Sequence, residues 1–224
     1  MNSILSSLKI NVNDKIFVKD PETSELGKKI IKNSIILIDE IGFEDFTFKK
    51  LGLRIDSNES SIYRYFDSKH KLLVYLSSWY WGWIEYRLVL STSNIQDPME
   101  KLRRAIGIVT EVVKDDITTS HINEALLNRI IIFQFTKTLL TKDIDEENKE
   151  GFFMLYKRVI NRIIDIINEV DPRYKYAKSL ASSIVEGSLH QHFLKDHLKT
   201  ITNCTHSNSP THFYIDLVQK TLRK

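Results

Sequence analysis

Three helix-start signals crowd between Thr47 and Ser68, and they restrict the fold more than anything else in the chain. Thr47 can cap a short helix running through Lys49, Lys50, Leu51, Leu53 and Arg54. Asp56-Ser57-Asn58 then breaks the chain for three residues, Asn58 can cap a further helix from Glu59 to Phe66, and Asp67-Ser68 opens another at Lys69. Upstream, Leu26, Ile30, Leu37 and Ile41 fall on one helical face, with Ile31, Ile35 and Ile38 beside it. This longer helix starts near Asp20-Pro21 or Thr23 and closes at Gly42, because glycine accepts the left-handed conformation of many helix ends. Two short helices joined by a tight turn, behind a longer supporting helix, form a helix-turn-helix pattern.

The rest of the 224 residues also reads as helix. Asp97-Pro98 is a cap with proline at the first helical position, opening a segment to about Lys114. Residues 121–141 and 149–169 are apolar on one side, Asp171-Pro172 precedes a helix at about 174–198, and a last one spans Pro210 to Leu222. No strand pair with a hairpin turn is evident, and seven Gly and four Pro are too few for a turn-rich β fold. The expected fold is all-α. Residues 1–20 carry no strong helical stripe and read as an arm or loosely docked tail.

Composition excludes several classes. The single cysteine, Cys204, allows neither an internal disulfide framework nor a cysteine-built zinc site. No run of apolar residues is long enough to span a membrane, and the N-terminus has neither the basic start nor the apolar block of a signal peptide, so a cytoplasmic protein is expected. A net charge of +3 does not by itself imply a nucleic-acid partner. Its distribution is more informative: residues 21–45 hold three Lys and six acids, whereas residues 46–71 hold six Lys or Arg and three acids. The sign changes at about residue 46, where the helix-turn-helix and its candidate DNA face begin.

In a helix-turn-helix the second helix enters the major groove and its first residues meet base edges. Here it offers Ser57, Asn58, Ser60 and Ser61, then Tyr63, Arg64 and Tyr65. Short polar side chains allow close approach to bases, while Tyr hydroxyls and cationic groups hold phosphates.

The stretch from Gly42-Phe43 through Phe46-Thr47-Phe48-Lys49-Lys50-Leu51-Gly52 to Ser57–Leu73 resembles the DNA-binding domain of tetracycline-repressor (TetR) family regulators. The most specific part is Ile62-Tyr63-Arg64-Tyr65-Phe66 followed by Ser68-Lys69 and Leu72. The resemblance covers Glu25 to about Leu76 and implies an arm at 1–20, a DNA-binding domain at 21–76 and an effector-binding and dimerisation domain at 77–224. It further implies phosphate contacts from Thr47, Tyr63, Tyr65 and Lys69. Ser57, Asn58, Glu59, Ser60, Ser61 and Arg64 would face the groove, over a small core of Phe46, Leu51, Ile55, Ile62, Phe66 and Leu73. Asp56 and Ser57 stand where the family usually carries Gly and an aliphatic residue. A carboxylate at Glu59 is repelled by phosphates unless it accepts from cytosine N4.

Farther along, Trp79, Trp83 and Tyr86 share one side of a helix and line an expected effector pocket with Phe133 and Phe153, or else simply pack as core. His190 and His197 share a face, but nothing completes a ligand set, so no metal and no cofactor are expected. By resemblance the last two long helices form a homodimer interface, with Ala181, Ser182, Ile184, Gly187, Phe213 and Leu217 as candidates. No phosphate loop, nucleophile elbow or His-Glu-x-x-His stands in the chain, so no enzyme is expected. The sequence therefore leads to a ligand-responsive repressor, a homodimer on a palindromic double-stranded DNA operator, with an unknown small-molecule effector and no membrane. The competing expectation is a helical ligand-binding or protein-interaction module whose helix-turn-helix no longer reads DNA.

Overall fold

The structure, a computed structural model, describes residues 10–113 and 121–222. Among these residues all regular secondary structure is helical: α1 (Glu25–Asp45), α2 (Phe48–Arg54), α3 (Glu59–Tyr63), α4 (Lys69–Thr92), α5 (Pro98–Thr110), α6 (Glu124–Leu139), α7 (Ile144–Lys149), α8 (Met154–Val170), α9 (Ala177–His197) and α10 (Ser209–Leu222), with short 3-10 turns at Asp14–Ile16, Pro21–Thr23 and Lys199–Ile201. None of these helices is long and apolar enough to cross a membrane.

Two compact units result. The first comprises the described residues up to Tyr80 together with Val113–Met154, and the second comprises Trp81–Val112 with the residues from Leu155 on.

In the first unit, Ser24 caps α1 by accepting from the Gly27 amide, one residue after Thr23, the later of the two expected starts. Asp20 instead caps the 3-10 turn at Pro21. Gly42 breaks α1 in the left-handed region (φ 77°), as its position predicts. Phe46, Leu51, Ile55, Ile62, Phe66 and Leu73 are all buried, so the small core is the expected one. α1 also packs on α6, where Arg129 grips Asp39 with two hydrogen bonds (2.9 and 2.7 Å) and Lys137 pairs with Glu44.

Two helix boundaries differ from expectation. α3 ends at Tyr63 rather than Phe66, because Tyr65 and Phe66 turn inward and are buried. The helix expected over 149–169 starts later, as α8 at Met154: Gly151 adopts φ +85° and Phe152 and Phe153 fold into the interior before it, while α7, which is not among the expected helices, precedes that turn. Burial of two large rings outweighs helix continuity there. The expected arm is also more than a tail where it is described: Ile16 is 1% exposed. Residues 1–9 lie outside the described residues.

In the second unit, α8 presents Val159, Ile163 and Ile167 at four-residue spacing, all fully buried. Glu85 of α4, itself buried, holds two cations of α8: Arg158 at 2.9 and 3.0 Å and Arg162 at 2.7 Å. A buried carboxylate needs such partners to remain charged. α5, α9 and α10 pack on one another.

Candidate nucleic-acid interface

The turn is built from the backbone outward. Thr47 caps α2 by accepting from the Lys50 amide at 3.2 Å and is exposed. At the other end of α2, Lys29 of α1 donates to the Ile55 carbonyl at 2.6 Å, and Asp56 takes φ +53°, a conformation that Asp tolerates better than most side chains. The Ser57 amide donates to the Gly52 carbonyl at 2.9 Å and closes the turn. Arg54 forms an ion pair with Glu40, whose carboxyl it holds below the usual range.

Asn58 then caps α3, its Oδ1 accepting from the Ser61 amide (2.8 Å) and the Ser61 hydroxyl (2.7 Å). Ile62 is the buried anchor of this short helix. Ser60, Tyr63 and Arg64 are exposed and Ser57, Glu59 and Ser61 half-buried. The Tyr63 ring meets Phe48 edge-on at 5.0 Å, which leaves its hydroxyl end outward from a supported ring. The arrangement presents hydroxyls, one carboxylate and one guanidinium from a five-residue helix.

Two residues expected to hold phosphate have other partners. Tyr65 is buried at 4% exposure, and its hydroxyl shares a 2.7 Å hydrogen bond with Ser24. Lys69 donates to the carbonyls of Phe43 (3.0 Å), Glu44 (3.0 Å) and Phe46 (3.3 Å), so its ammonium closes the end of α1. No signal in the sequence separates these two from the exposed Tyr63 and Arg64, since the side that packs is set by where α1 ends.

The residues considered for an effector pocket are divided between the two units. In the first unit Trp79 and Phe153 are buried and Phe133 is 39% exposed. In the second, Trp83 lies under the Arg87 guanidinium at 4.7 Å and Tyr86 is half-buried. A cavity of about 290 Å³ in the second unit is lined by other residues, among them Leu88, Thr92, Lys101, Arg162, Asp165 and Glu169.

Of the interface candidates, Ala181 and Ile184 are fully buried inside the second unit. Gly187 faces Tyr214 of α10, so its small size serves packing within the chain. Ser182 is half-buried, and Phe213 and Leu217 are exposed one turn apart on α10. His190 and His197 both lie against the Phe193 ring. Among the described residues no group of three His, Cys, Asp or Glu could hold a metal ion.

Residues 30–76 match the family model described as bacterial regulatory proteins, tetR family. No curated protein matches the chain. Several solved structures share its fold. The regulator FadR from Bacillus subtilis, in complex with stearoyl-CoA, is 15% identical over 85% of this chain and 96% of its own, with a TM-score of 0.62. AibR, in complex with isovaleryl coenzyme A and operator DNA, is 15% identical over 86% of this chain and 97% of its own, with a TM-score of 0.53. The superantigen PfiT is 15% identical over 91% of this chain and 96% of its own, with a TM-score of 0.57. At such identity these likenesses show the fold, and the matched segment is the one that contains α2, the turn and α3. By that match residues 30–76 are similar to the bacterial regulatory proteins of the tetR family, and the solved structures share the fold of the chain.

Proposed function

We propose that this protein is a sequence-specific DNA-binding transcription regulator, a ligand-responsive repressor acting as a homodimer on a palindromic operator. The observation that carries the reading is the outward face of α3, where Ser60, Tyr63 and Arg64 stand exposed on a helix anchored by Ile62 and capped by Asn58. Residues 21–76 would form the DNA-binding domain and 77–224 the effector-binding and dimerisation domain. Ser57, Asn58, Glu59, Ser60 and Ser61 would meet base edges, with Thr47, Tyr63 and Arg64 on phosphates. Tyr65 and Lys69 serve as supports, because their polar groups are already bonded. Phe213 and Leu217 offer exposed apolar surface on α10 for a second copy. An effector reading is supported by the fold shared with coenzyme A-bound regulators and by the cavity of about 290 Å³ in the second unit.

A twofold dimer places its recognition helices about 34 Å apart, one turn of B-DNA. Selection from random duplexes with the purified protein tests this. The reading predicts an enriched palindrome with half-sites about one helical turn apart, bound less tightly as salt rises. Unenriched binding, or none, would favour the second reading, an interaction module. The fold shared with a superantigen supports that alternative, since one fold hosts many functions.

A further inference from the structure

The described part of the N-terminal arm joins the segment just past α3 to the turn that follows α7. Val18 donates its backbone N–H to the Tyr65 carbonyl at 2.9 Å. That carbonyl lies two residues past the end of α3, where helix carbonyls lose their helical partners. At the arm's other end, the Asn13 amide donates to the Glu150 carbonyl at 2.7 Å, and Lys15 pairs with the Glu150 carboxylate at 3.6 Å. Between the two anchors Ile16 is buried and Phe17 meets the Tyr75 ring edge-on at 6.0 Å. Lys71, on the first turn of α4, closes the arrangement by donating to the Lys15 carbonyl at 3.3 Å.

We infer that residues 13–18 are a strap that positions α3, with the Val18 amide and the Asn13 side chain as its two fastening points. The Val18 side chain is 58% exposed, so the residue contributes through its backbone. The helix it steadies is five residues long, and a helix of that length is not stable by itself. Its pose depends on what grips its ends: Asn58 at the start and the strapped Tyr65 carbonyl beyond the finish. The consequence for DNA rests on the proposed function, while the mechanical part does not.

The strap is tested by comparing the wild type with Val18→Pro, which removes the N–H, with Val18→Ala, which keeps it, and with Asn13→Ala, which releases the far anchor. Hydrogen exchange of the free protein should speed up over residues 58–66 by about fivefold in Val18→Pro, the loss of roughly one hydrogen bond. Asn13→Ala should do the same to a smaller extent, and Val18→Ala should match the wild type. Affinity for the selected duplex, measured well below the unfolding temperature of every variant, should fall several-fold in Val18→Pro with the preferred sequence unchanged. Unaltered exchange over 58–66 in both Val18→Pro and Asn13→Ala would overturn the strap. Faster exchange with unaltered affinity would reduce it to a structural tie and overturn its positioning role. A wild type that binds no duplex would remove the proposed function, and the exchange comparison would still decide the strap.

Discussion

Gly52 and Ser57 meet backbone to backbone. The Ser57 amide donates to the Gly52 carbonyl at 2.9 Å, and a Cβ at position 52 would stand 2.7 Å from the Ser57 carbonyl oxygen. The turn between α2 and α3 closes this tightly only because position 52 has no side chain. Gly52→Ala should destabilise the protein by about 1–3 kcal/mol, the usual cost of forcing atoms into a packed site. Denaturant unfolding measures it, and an unchanged midpoint would show that the turn can widen without cost.

Asp56 holds its left-handed conformation without the freedom of glycine. A β-branched residue pays more for that conformation than a short polar one. Asp56→Val should therefore lose about 1–2 kcal/mol, whereas Asp56→Gly should not destabilise. If Val proved as stable as Asp in thermal unfolding, the turn would have to be rebuilt in solution.

Lys69 and Arg64 separate a supporting cation from an exposed one. Lys69→Met leaves three carbonyls without their donor and should cost about 1–2 kcal/mol of stability, with little change in the salt dependence of operator binding. Arg64→Ala should leave stability intact and reduce that salt slope by about 1. Fluorescence titration over a salt series, beside thermal unfolding, reads both. Reversed results would return Lys69 to the phosphate-contact set.

His192 supplies a pH dependence in the second unit. It is buried, and its Nε2 donates to the Thr110 carbonyl at 2.7 Å, the carbonyl at the C-terminal end of α5. Burial pushes its pKa down, and the Thr110 bond and the nearby charges do not reverse that. The unfolded chain then binds the proton more readily, so stability is full above about pH 6.5 and declines as pH falls below it. His192→Asn should flatten this part of the stability curve, measured by urea unfolding between pH 7.5 and 5. An equally steep curve in the variant would assign the acid loss to other groups.

Gly187 and Tyr214 fit one another across α9 and α10. A Cβ on Gly187 would lie 2.0 Å from the Tyr214 hydroxyl, which burial pushes up to a pKa of about 12. Gly187→Ala should cost about 1–3 kcal/mol, and adding Tyr214→Phe should recover most of that loss. Additive effects in the double-mutant cycle would mean that the two do not meet in solution.

The helical character, the short paired helices and their shared core were legible before any coordinates. They rest on local rules: a cap such as Thr47 or Asn58 marks a start, and apolar spacing marks the buried face. Where a burial gain competes with a local signal, burial prevails. Tyr65 and Phe66 leave the helix for the core, and Gly151 with Phe152 and Phe153 delays the helix expected from residue 149 until Met154.

Sequence by itself thus determined the all-helical character, the capped turn and the small core around Ile62, because these depend on neighbours within a few positions. Only the tertiary structure decided that Lys69 closes α1, that Gly187 receives Tyr214 and that Val18 reaches Tyr65. Those partners lie 23 or more residues apart along the chain, and such contacts follow from how whole helices stack to bury apolar surface, which no local spacing encodes.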